Sequence, residues 1–119
     1  MGGPEGFDHE WTTSLGRRAR RRIGYSHDRG AVTRFVVQLE YYLGGEWVEV
    51  VRYDHDRGRK AAHDVTEEGL HIDVYRDGSK YATEYVAGPL PPDVAFDLAE
   101  AHLAKNAQGF IRRFEAWHR

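Results

Sequence analysis

The chain has 119 residues, 40% hydrophobic and 30% charged, with a formal net charge of −2. That length supports one hydrophobic core and is too short for two. With no cysteine, disulfides and thiolate chemistry are excluded, and a zinc site would have only histidine and carboxylate ligands. No apolar run approaches the roughly 20 residues of a membrane helix. The opening Met-Gly-Gly-Pro-Glu-Gly lacks the charged and apolar blocks of a secretory signal, so a cytoplasmic protein without a membrane partner is expected. Arginine outnumbers lysine, and Ala, Gly and Asp are plentiful, a composition associated with GC-rich prokaryotic genomes.

In chain order, the first distinctive stretch is Arg17, Arg18, Arg20, Arg21 and Arg22, five positive charges that leave the remainder at minus seven (minus two less five). Residues 1–30 read as a basic, partly ordered N-terminal arm, with Trp11, Leu15 and Ile23 able to dock part of it, ahead of a single α+β domain over 31–119. An arginine cluster binds RNA or DNA phosphates without sequence choice; the alternative is a solvated arm folded on the acidic body or on a second subunit.

Beyond the arm, the turn signals Gly44-Gly45, Glu68-Gly69 and Asp77-Gly78 join β-patterned runs whose alternation stays in phase. A two-residue hairpin at Gly44-Gly45 pairs Leu43 with Glu46 and sets Leu39 against Val50, Val37 against Arg52 and Phe35 against Asp54. Continued through the link at 55–60, this register puts His63 opposite Arg52, Val74 opposite Tyr81 and Ile72 opposite Thr83. One face then carries Phe35, Val37, Leu39, Tyr41, Val48, Val50, Val65, Leu70, Ile72, Val74, Tyr81 and Tyr85. The opposite face is partly wet, with an aromatic stripe that includes Trp47, Tyr53 and Tyr75. After Pro89, Pro91 and Pro92 a helix begins at Asp93; Gly109 is expected to interrupt it, and a short second helix carries Phe110, Ile111, Phe114 and Trp117. The expected fold is a five-stranded antiparallel meander with C-terminal helices packed on one face.

Chemistry-bearing residues concentrate between positions 54 and 73. Asp54 and His63 share the apolar face with Arg52 in this register, a start for a metal or hydrolytic site with Arg52 as anion clamp. His71 and Asp73 fall on the opposite face and would not complete it. The simpler reading of Arg52, Asp54 and His63 is an ion pair with a histidine hydrogen bond that satisfies a sheet end. No cofactor and no metal is expected. Arg113 and His118 have the R-x4-H spacing of the HEPN ribonucleases, but those are helical bundles and this chain is mostly β. There is no P-loop, no dinucleotide fingerprint and no H-E-x-x-H.

Val51-Arg52-Tyr53-Asp54 followed by His63-Asp64 resembles the core of small uncharacterised prokaryotic proteins, some similar to toxin-antitoxin components. The likeness covers about residues 35 to 75. It nominates Arg52, Tyr53, Asp54 and His63 and implies a nucleic-acid or protein partner, in an accessory or neutralising role given the acidic body. The leading expectation is a non-enzymatic interaction or regulatory module, associated with RNA or DNA through its arginines and with a protein partner or second copy through Trp47, Tyr53 and Tyr75. The alternatives are a metal-assisted hydrolase or nuclease at Asp54 and His63, and a homo-oligomeric structural protein.

Overall fold

The structure, a computed structural model, describes residues 6–58 and 62–118. Its strands are β1 (His9–Ser14), β2 (Ala19–Asp28), β3 (Ala31–Leu43), β4 (Glu46–Asp56), β5 (Leu70–Arg76) and β6 (Ser79–Ala87). They form one antiparallel sheet in the order β1-β2-β3-β4-β5-β6, each strand beside its sequence neighbour. A one-turn helix α1 (Val65–Glu68) lies between β4 and β5, and a long helix α2 (Pro92–Trp117) packs on one sheet face.

The sheet has six strands rather than five. The stretch read as a basic arm supplies β1 and β2, whose alternation is masked by arginine: Ala19 and Ile23 are buried while Arg20 and Arg22 point the other way toward acidic partners. A turn at Arg29-Gly30, with φ of 52° and 81°, joins β2 to β3. Positive φ at two successive residues gives the tight hairpin turn that matches strand twist. In the other direction, the strand expected just before Glu68-Gly69 is absent among the described residues. There Asp64 caps α1: its Oδ1 accepts from the Thr66 amide at 3.0 Å, while Glu68 Oε2 accepts from the Asp64 amide at 2.9 Å. Side chains thus occupy backbone donors that a ladder would need. Gly69 then turns the chain at φ 84°, and a Cβ there would collide with the Ala87 carbonyl oxygen.

The Gly44-Gly45 hairpin pairs Leu43 with Glu46 as expected, but the register shifts between Leu39 and Glu40. Glu40 faces Glu49 and Leu39 faces Val51, so Val50 is an extra residue in β4. Beyond a bulge every side chain changes faces. Val37 therefore opposes Tyr53 and Phe35 opposes His55, while Arg52 and Asp54 move to the face away from α2. A second bulge, between Val74 and Tyr75, pairs Val74 with Ala82 and Ile72 with Glu84. Tyr81 and Tyr85, expected in the core, are exposed.

The core lies between α2 and Phe35, Val37, Leu39, Tyr41, Val51, Tyr53, Ile72 and Val74. Phe35 stacks on Phe96 at 5.2 Å and Tyr41 packs on Phe114 at 5.4 Å, which pins both ends of the helix. Each fully buried side chain of this size contributes about 1.5–3 kcal/mol. Pro92 opens the helix, where its missing N–H costs nothing. Asp93 Oδ1 accepts from the Val32 amide at 2.8 Å and ties that end to β3. Contrary to the two-helix expectation, α2 runs through Gly109. A mid-helix glycine costs about 1 kcal/mol, less than burial of Ile111 and Phe114 beyond it returns. No helix among the described residues is long and apolar enough to cross a membrane.

Candidate functional site

On the open face, away from α2, cross-strand pairing aligns Thr12, Arg22, Gln38, Arg52, Asp73 and Thr83 in one row across the sheet. The two halves of the sheet meet at a short seam, where, among the described residues, β4 and β5 pair through Val51 with Val74 and Arg52 with Asp73. Side chains link β2, β3 and β4 on one side of this seam. Arg52 Nε donates to Asp54 Oδ2 at 2.9 Å, and its Nη1 donates to Gln38 Oε1 at 3.2 Å. Gln38 in turn donates to Glu40 at 2.6 Å, and Glu40 pairs with Arg20 at 2.6 Å. Gln38, Glu40, Asp54 and Asp73 are all buried. Buried charges persist only when paired.

His63 enters from the segment between β4 and α1. Its carbonyl accepts from the Asp56 amide at 3.0 Å, and its amide donates to Asp54 Oδ1 at 3.2 Å. The imidazole lies between two carboxylates, with Nε2 3.1 Å from Asp73 Oδ1 and Nδ1 3.1 Å from Glu68 Oε1. The hydrogen bond to Asp73 outweighs burial and, with Glu68, pushes the ring up to about 9. His63 is therefore a cation at neutral pH. Burial acts to raise Asp73, but the His63 bond and charge, the Thr83 hydroxyl at 2.9 Å and Lys80 at 3.3 Å prevail and hold it low. Glu68 is lowered by the Asp64 amide and then by His63.

His55, eight residues earlier, points to the other face. Its Nδ1 accepts from the Val65 amide at 3.0 Å, anchoring α1, and burial lowers its affinity for a proton despite three nearby aspartates.

The bulge at Val50 thus changes the candidate site. Arg52, Asp54 and His63 do come together, but on the open face, and Asp73 joins them rather than being excluded. His71 also approaches, stacking on the His63 ring at 5.4 Å. Among the described residues two groups have ligand atoms within 4.8 Å of one another: Asp54, His63 and Asp73, and His63, Glu68 and His71. In the first, Arg52 and Lys80 already neutralise the two carboxylates. Asp64 is the N-cap of α1, and Glu68, one residue beyond the capping-box position at Glu67, reaches back to the Asp64 amide and so lies beside His63.

Tyr53 is corrected as a partner anchor: it is fully buried, with its hydroxyl 2.7 Å from His102 Nδ1. The tyrosine of the Arg-Tyr-Asp motif is thus part of the core. Tyr75 is half-buried beside the polar row, where burial pushes its hydroxyl up to about 12. Trp47 is 38% exposed and contacts Tyr42, 42% exposed, at 5.3 Å; the Arg20 guanidinium sits 4.2 Å over the indole.

The arginine run is dispersed. Arg17 and Arg18 are exposed at the β1–β2 turn, and the Arg18 carbonyl accepts from the Tyr42 amide at 2.7 Å. Arg20 is held by Glu40, Arg22 by Glu10 at 2.7 Å, and Arg21 acts electrostatically on Glu100 of α2. Arg113 pairs with Glu84 and His118 with Asp77, so the R-x4-H pair is divided between separate acids.

Residues 6–119 match the family model described as a domain of unknown function, DUF7718, and the chain belongs to that family. No curated protein and no solved structure matches it.

Proposed function

We propose that this chain is a small non-enzymatic interaction module whose contact surface is the aromatic corner of the open face. The observation that carries this reading is the pair Tyr42 and Trp47, both exposed, with Arg20 stacked on the indole. Tyrosine, tryptophan and arginine dominate binding energy at protein interfaces, and these three types meet here where the helix does not reach. The fitting partner is a protein that offers an apolar pocket for these two rings.

Catalysis at Arg52, Asp54 and His63 is less well supported. A general base needs a lone pair near neutral pH, and His63 is protonated between two acids. Arg52 is bonded to Asp54 and Gln38, which ties up the proposed anion clamp. A nucleic-acid role rests on Arg17 and Arg18 rather than on five arginines. For single strands the salt slope is about −0.7 per phosphate contact, so the expected slope is about −1.4 and not −3.5.

Affinity capture from the native host followed by quantitative mass spectrometry tests the proposal. A partner recovered with the intact chain and with Tyr85→Ala, but lost with Trp47→Ala and Tyr42→Ala, supports it. Equal recovery with all variants overturns it. Captured nucleic acid released by salt and lost with Arg17→Ala and Arg18→Ala would replace this reading with polyanion binding at the β1–β2 turn.

A further inference from the structure

We propose that His63, Glu68 and His71 form a site for one divalent ion of the zinc class, with Asp73 as a positioning residue behind His63. The three ligand atoms lie within 4.8 Å of one another at the surface end of the polar row. His63 Nδ1 and Glu68 Oε1 are 3.1 Å apart. Two donors bound at about 2.0–2.1 Å to a tetrahedral zinc ion lie about 3.3 Å apart, so this edge is close to the required spacing.

Three further features point to a ligand. His63 Nε2 meets Asp73 Oδ1 at 3.1 Å, the carboxylate–histidine arrangement that fixes the ring and leaves Nδ1 for metal. Glu68 is oriented by its second oxygen, Oε2, which accepts from the Asp64 amide at 2.9 Å. His71 Nδ1 is buried and lacks a hydrogen-bond partner among the described residues. Such a nitrogen carries an uncompensated desolvation cost, and a turn of the stacked imidazole would give it an ion to bind. Two histidines and one glutamate are a recognised open zinc set, whose fourth position holds water. Glu68 is exposed, so that position faces solvent. The ion would take the place of the proton now shared by His63 and Glu68.

The test is calorimetric titration of the chelator-treated full chain with Zn²⁺, together with Co²⁺ absorption and thermal melting. The expected result is one ion per chain, a tetrahedral Co²⁺ spectrum, and a rise in Tm of about 5 °C at saturation. Glu68→Gln and His71→Ala should each weaken binding at least about 10-fold, and Asp73→Asn about 10- to 100-fold. Glu68 is exposed on a one-turn helix, so its variant remains folded and decisive. No binding by the folded wild-type chain overturns the site. So does binding that survives Glu68→Gln and His71→Ala but disappears in Asp54→Asn, which would place the ion at Asp54, His63 and Asp73.

Discussion

The two faces of the sheet solve the burial problem in opposite ways. On the helix face, Phe35, Val37, Leu39 and Tyr53 pack under α2, with the Tyr53–His102 hydrogen bond at its margin. On the open face, no helix packs over the strands among the described residues, and buried Gln38, Glu40, Asp54 and Asp73 are joined instead by Arg20, Arg52, His63 and Lys80. The helix face gains stability from area removed from water. The open face gains little net energy from its charges, since desolvation offsets their attraction, but removing one member leaves its partner stranded. Apolar packing thus supplies the energy, while the charge row fixes which strand lies beside which.

Four substitutions or conditions would break or sharpen that contrast. Tyr53→Ala should cost the most, about 3–5 kcal/mol in chemical denaturation, because it opens a cavity under α2; a loss below 1 kcal/mol would contradict the inward placement. Asp73→Ala should cost about 2–4 kcal/mol by stranding the buried side of His63, less than a sealed pair because Lys80 reaches water. That loss should shrink in a His63→Gln background.

The third is a pH effect. The folded value of His63, about 9, lies above the unfolded value of about 6.5. Its contribution is complete below pH 6.5 and fades as pH rises through 9. The wild-type chain should lose about 2 kcal/mol over that window relative to His63→Gln, a figure reduced for solvent on the Glu68 side. His55 has the opposite sign, because its folded value is lowered. Its contribution is present above pH 6.5 and declines as pH falls below it, so His55 and His63 should give acid and alkaline limbs separable by mutation. Smallest of all, Trp47→Ala should change stability by less than about 1 kcal/mol, since the indole is already partly in water; a larger loss would make that corner structural rather than a contact surface.

Much of the frame was legible from turn chemistry. Gly44-Gly45, Asp77-Gly78 and Pro92 begin or end elements as read, and Phe35 to Tyr41 occupy the face assigned to them. The candidate site was legible only as a list of residues. Val50 and Val51 are both apolar and both buried, so alternation alone gives no sign of the extra residue between the two faces. Once the face is inverted, Tyr53 leaves the surface and Asp54 leaves the core together. In β2, arginine at 20, 21 and 22 hid a strand because the same residue type serves both faces there. The Asp64 cap was overlooked for another reason: Glu68-Gly69 also resembles a hairpin turn, and two local signals competed for one segment.

The place of α2 after all six strands has a consequence for synthesis. Every strand pairs with the one just before it, so the sheet can assemble in the order in which the ribosome delivers it, with few long loops to close. Its lining for the helix, however, waits for Phe96, Leu103 and Phe114 to emerge. A nascent chain halted at Gly88 should therefore display that lining to a chaperone or hydrophobic dye, and one extended past Trp117 should not. The same delay does not touch the charge row, whose members from Arg20 to Thr83 all precede the helix.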